Sequence, residues 1–95
     1  MTKNDPQTTN VADTLAERGA RYGAFKTHAD VTQKLKAVIY GCQDNRKFSP
    51  SQREALDMIA HKIGRIVNGD PNYADSWHDI ASYAKLVEDE INAGQ

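Results

Sequence analysis

Between Ser49 and Asn92 the chain carries two long runs of apolar residues at helical spacing, parted only by Gly69-Asp70-Pro71-Asn72. A chain patterned this way has few options besides a helical hairpin, because short connections make consecutive helices antiparallel neighbours. Ser49-Pro50-Ser51-Gln52 marks the first start: a serine cap, proline where its missing N–H costs nothing, and a glutamine placed to bond back to the cap. Leu56, Ile59, Ala60, Ile63, Ile66 and Val67 form the apolar stripe, and Gly69 ends a helix predicted over Pro50 to Asn68. Asp70 or Asp75 caps the next helix, which runs to about Asn92. Its Tyr73, Trp77, Ile80, Ala84, Val87 and Ile91 alternate by four and three, a seam suited to another helix, with Trp77 read as core.

Upstream, residues 1–10 lack hydrophobic periodicity and read as a flexible tail, leaving 11–95 as a single helical domain. A short helix is expected over Val11 to Arg18, capped by Thr9 or Asn10 and closed by Gly19. Arg21-Tyr22-Gly23-Ala24-Phe25 then reads as a compact aromatic loop. A second helix, from Lys26 or His28 to Tyr40, places Val31, Leu35, Val38 and Ile39 on one face, and Gly41 stops it. Cys42 to Phe48 is a polar connection. No strand-like alternation and no repeat occurs, so the fold class is all-α: a small bundle of about four helices with a C-terminal antiparallel hairpin.

Charge and cysteine usage exclude several classes. With 12 basic and 13 acidic residues in 95 and a formal net charge of −1, the chain offers no cationic field for duplex nucleic acid. Cys42 is the only cysteine, which rules out an internal disulfide and a cysteine-based zinc site; it reads as a small hydrophobe near a helix end. No apolar run approaches the ~18 residues of a membrane span, and the polar N-terminus lacks a signal-peptide core, so a cytoplasmic protein is expected. The regular seam of the last helix makes a homo-oligomer the expected state.

Two constellations can carry chemistry. On the third helix Glu54, Asp57, His61 and Arg65 fall in one polar stripe, and on the fourth Asp75 and Asp79 share a face. Antiparallel pairing brings Asp57 towards Asp79, Arg65 nearer Asp75 and Asp79, and strands Glu54 at the far end. Clustered carboxylates call for a cation, and Mg²⁺ suits oxygen ligands, so Glu54, Asp57, Asp75 and Asp79 are the candidate metal set. Lys62 and Arg65 would then grip phosphate, while His61 beside Asp57 is a candidate general base. The alternative is a salt-bridged face, with Asp57 paired to His61 or Lys62 and Asp79 to Arg65. The second constellation is Arg21, Tyr22, Phe25, Lys26 and His28, with Asn72 and Tyr73 at the entrance to the fourth helix. Aromatic faces beside cations hold a base and a phosphate together, or equally plug the bundle with charged tips outside.

The strings ERGARYGAFKTHA (Glu17 to Ala29) and EALDMIAHKIGRIVNGDPNYADSWHDIASYAKLV (Glu54 to Val87) resemble a family of small phage and prophage proteins of unassigned function. Cytoplasmic then means the host cytoplasm. A weaker resemblance links the third and fourth helices to domains associated with phage nucleotide modification and to all-α nucleoside triphosphate pyrophosphohydrolases. Those enzymes carry Glu-x-x-Glu and Glu-x-x-Asp on successive helices; the matching positions are Glu54-x-x-Asp57 and the more widely spaced Asp75-x-x-x-Asp79.

The resemblance implies a nucleotide-linked role, with Mg²⁺-dependent hydrolysis as one form. The alternative is a module that binds or sequesters a nucleotide, or inhibits a host protein, without chemistry. A purely structural assembly protein is the third reading.

Overall fold

The computed structural model of the chain describes residues 10–41, 44 and 47–94. It contains four helices, α1 (Val11–Tyr22), α2 (Phe25–Gly41), α3 (Pro50–Asn68) and α4 (Ala74–Ala93), and no strand among the described residues. The tail, apart from Asn10, and Cys42 lie outside the described residues. No helix is long and apolar enough to cross a membrane.

The starts of α1 and α3 follow from local caps. Asn10 caps α1 by accepting from Ala12 N at 2.8 Å and Asp13 N at 3.3 Å. At α3 the capping box is complete: Gln52 N donates to Ser49 Oγ at 3.1 Å, and Ser49 N donates to Gln52 Oε1 at 2.9 Å. At α4 neither expected aspartate caps; Tyr73 holds that position without a side-chain bond. Asp70 instead accepts from Asn72 N at 2.9 Å, shaping the turn before the helix.

Gly19 does not end α1. The helix runs through it to Tyr22 and stops at Gly23, whose φ of 79° is left-handed. Hence Arg21 and Tyr22 are helical, Phe25 opens α2, and the aromatic loop shrinks to Gly23 and Ala24. The stop is set by tertiary contact: Asn68 Nδ2 donates to the carbonyls of Tyr22 at 2.8 Å and Ala24 at 3.0 Å, and Asp70 N donates to that of Arg21 at 2.8 Å. Gly23 and Gly69 stand where these two segments cross, and a side chain at either would run into the opposite backbone.

α3 is the centre of the molecule. α2 and α4 each pack chiefly on α3, and α1 leans on α3 and the start of α2. The buried apolar residues are Ala55, Ala60 and Ile66, all on α3, accompanied by Gly64. Against this small-residue surface α2 presents His28 and Thr32 as its most buried residues, 5% and 3% exposed; of the positions expected to face inward, Val31, Leu35 and Ile39 are half-buried and Val38 is 65% exposed. The α4 seam is also rotated from expectation. Ser76 is the buried position, while Trp77 is 55% exposed and donates from Nε1 to Pro71 O at 2.8 Å. A serine lets the hairpin helices approach where an indole would hold them apart.

Candidate functional site

The hairpin register decides where the acids go. Lys62 Nζ lies 2.9 Å from Asp79 Oδ2, so residue 62, and not 57, stands opposite residue 79. Asp57 points to the other flank of α3, where it accepts from the Tyr40 hydroxyl at 2.8 Å. Asp75 accepts from the Tyr73 hydroxyl at 2.9 Å, and Glu54 lies at the far end near Tyr83 and Glu90. The expected meeting of Asp57 with Asp79 is therefore corrected, whereas Glu54 is stranded as its position predicted. Among the described residues no three His, Cys, Asp or Glu side chains gather into a metal-binding group. The four carboxylates do not fit Mg²⁺ as a set, because three of them are spent on three different partners.

The polar stripe of α3 is real, but it faces α1 and α2 instead of α4. Asp57, His61, Arg65 and, one step further, Asn68 each meet a partner there. Tyr40 takes Asp57, and its oxygen lies 3.1 Å from the Arg53 carbonyl as well. The His28 ring stands edge-on to His61, centroids 4.7 Å apart. The Arg65 guanidinium lies 4.1 Å over the Tyr22 ring, and Asn68 holds the Tyr22 and Ala24 carbonyls.

Two groups of predicted residues converge at this end. Tyr22 and Tyr73 meet edge to face at 6.1 Å, with Arg65 over the former and Arg21 4.4 Å over the latter, an alternation of cations and rings. Phe25, His28 and His61 form the second group, Phe25 and His28 lying 6.3 Å apart. Between α1, α2 and α3 they border a cavity of about 470 Å³. Tyr22, Phe25, His28, His61 and Arg65 line it, together with Arg18, which the spacing to Tyr22 one turn on would have flagged. No carboxylate lines this cavity, and among the described residues neither Arg18 nor Arg65 has an ion-pair partner. Lys62 is withdrawn to Asp79, Lys26 to Asp30 at 3.2 Å, and Asn72 is exposed in the turn, so these three do not join the site.

The electrostatics follow from burial. His61 is pushed down to about 4, first by burial, then by Arg65, His28 and two lysines. His28 is lowered mainly by burial, which outweighs the Gly64 backbone beside it. Its Nδ1 and Thr32 Oγ1 are closed off from water without a well-formed hydrogen bond. The Tyr40 hydroxyl is raised to about 12 by burial and by its bond to Asp57. At neutral pH the cavity thus presents two uncharged imidazoles and two guanidinium groups and, among the described residues, no acid.

Comparison with protein-family models, with curated proteins and with solved structures returns no match for this chain.

Proposed function

We propose that the chain is a non-catalytic module that binds a nucleotide-like ligand, an anionic phosphate joined to a planar ring, in the cavity between α1, α2 and α3. The observation that carries this reading is the lining: unpaired Arg18 and Arg65 beside Tyr22, Phe25 and the two histidines, with no acid to repel an anion. A volume of about 470 Å³ lies within the range of ordinary small-molecule sites. Arg65 lies 4.1 Å over the Tyr22 ring and carries a fork suited to phosphate oxygens, and the exposed Phe25 ring offers a stacking face. The dispersed carboxylates favour this over Mg²⁺-dependent hydrolysis.

Calorimetry with a panel of ribo- and deoxyribonucleotides, without added metal, tests the reading. One ligand per chain is expected, with affinity falling at least about tenfold for Arg65→Ala, as befits the loss of a charge-assisted bond. No binding across the panel, or turnover of any nucleoside triphosphate with Mg²⁺, overturns it.

A further inference from the structure

The flanking arrangement leaves one side of α3 roofed by neither neighbour. At three- and four-residue intervals that side carries Leu56, Ile59, Ile63 and Val67, the stripe that dominates the α3 sequence. Only half-buried in the chain, it rises to 62% exposure at Val67. α4 extends the same surface with Trp77, 55% exposed, and Ile91, 47% exposed, and α2 adds Val38 at 65%. Near its far end Phe48, Leu56, Ile59, Ala84 and Val87 enclose a largely apolar groove of about 490 Å³, with Lys47 and Gln52 at its border. No charged residue interrupts the α3 stripe or the α4 seam that adjoins it.

We propose that this face is the interface with a second copy of the chain, two three-helix layers closing on each other about a two-fold axis. The size fits. α4 from Trp77 to Ile91 is about 20 Å long at 1.5 Å per residue. Three helices with axes 8–10 Å apart present a width of roughly 28 Å. The product is roughly 560 Å² in projection; a ridged helical face has more accessible surface than its projection, which brings it towards the ~800 Å² that each partner contributes to a stable dimer. The occupant is a second copy because the need is permanent. Among the described residues only Ala55, Ala60 and Ile66 are fully buried apolar residues, and the larger ones such as Leu35, Ile59, Ile63 and Ile80 stay half-exposed, a small core for a chain that meets its partner only occasionally. A copy of itself is the one partner present whenever the chain is made, and an isologous contact closes at two without leaving the face open.

The chain carries its own probe, since Trp77 is the only tryptophan and lies on the proposed face. Sedimentation equilibrium at 100 µM should return twice the 10.6 kDa chain mass, and the Trp77 emission should shift to longer wavelength on dilution as the dimer dissociates. Val67→Glu, at a site already open in the single chain, should weaken association at least about 100-fold, while Leu15→Glu, 63% exposed on α1, should leave it unchanged. A monomer at 100 µM overturns the proposal, as does a dimer in which acrylamide quenches Trp77 as freely as in the diluted chain. Dissociation by Leu15→Glu with Val67→Glu still dimeric also overturns it, by moving the interface to α1. If Val67→Glu fails to fold, the quenching of the unaltered protein decides alone. The inference is independent of nucleotide binding, whose cavity lies on the other side of the α2–α3 contact.

Discussion

Replacing Gly64 by alanine sets two effects of opposite sign against each other, and the structure says which wins. Within a helix alanine is favoured over glycine by about 1 kcal/mol. A methyl at Gly64, however, would overlap Thr32 Oγ1 and press on the His28 ring at 3.1 Å. Neither neighbour can swing aside, because Thr32 is 3% and His28 5% exposed. Overpacking of this kind costs about 1–3 kcal/mol, and the overlap with a buried side chain puts this case at the upper end. The net is a loss of about 2 kcal/mol, which for a domain of this size lowers Tm by roughly 8–16 °C. Thermal unfolding followed by helical circular dichroism, at one protein concentration throughout, reads the change. Thr32→Ala removes the overlapping hydroxyl, so the double variant should recover at least about 1 kcal/mol relative to the sum of the singles. Gly19 provides the control: nothing lies within 4 Å of a methyl there, so Gly19→Ala should raise stability by about 0.5–1 kcal/mol. A Gly64→Ala protein as stable as Gly19→Ala, or one showing no coupling to Thr32, would refute the close α2–α3 approach.

The remaining predictions concern protons and hydrogen bonds. His61 titrates near 4 in the folded chain but near 6.5 when unfolded, so between these values the unfolded state binds the proton that the folded state refuses. Stability is therefore full above about pH 6.5 and lost as pH falls towards 4, by about 2–3 kcal/mol once partial access of water to the ring is allowed for, with His28 acting in the same direction. Urea titrations at pH 7.5, 5.5 and 4.5 check the slope, and a flat profile would remove the buried neutral imidazoles from the account. Asn68→Ala strips the donors from the Tyr22 and Ala24 carbonyls and should cost about 1–3 kcal/mol, with faster amide exchange at the α1–α2 junction. Ser49→Ala should cost about 1 kcal/mol and leave that junction unchanged, as measured by denaturation and exchange on the same samples.

What could be read from the sequence is what local chemistry decides. The bounds of α3 follow from Ser49, Pro50, Gln52 and Gly69, which act within one turn of themselves, and the structure gives Pro50–Asn68 as expected. The end of α1 does not, because Gly19 tolerates either outcome, and the deciding bonds come from Asn68 and Asp70, some fifty residues on. Periodicity separates the polar stripe of α3 from its apolar stripe, but it does not give the neighbour of either, and on α4 it misplaces the inward face by the step from Trp77 to Ser76. The polar stripe was visible as Asp57, His61 and Arg65, yet nothing local tells whether α2 or α4 receives it; Tyr40, the partner that fixes Asp57, had been read only as a helix end. Hydropathy also misjudged the contacts that bring helices closest. At His28, Thr32, Gly64 and Ser76 small size or shape outweighs apolar character, and the one hint was a glycine in mid-helix, where its cost demands a compensating close approach.

The site's chemistry turns on where the carboxylates are not. A histidine base works best with a pKa near the operating pH and an acid to steady its charged form. His61 has Arg65 and His28 beside it instead, and Asp57, one turn away, is held by Tyr40. Burial, Arg65 and His28 each drive the imidazole towards its neutral form and away from abstracting a proton. The same neighbours suit an anion well: two guanidinium groups without counter-charges supply attraction, and two neutral rings supply polar contacts without adding to the cationic charge already buried. Removing acids from the cavity weakens base catalysis and strengthens anion binding in one step. The four candidate acids all lie away from the cavity: Asp57 against Tyr40, Asp79 against Lys62, Asp75 at the start of α4 and Glu54 near Tyr83.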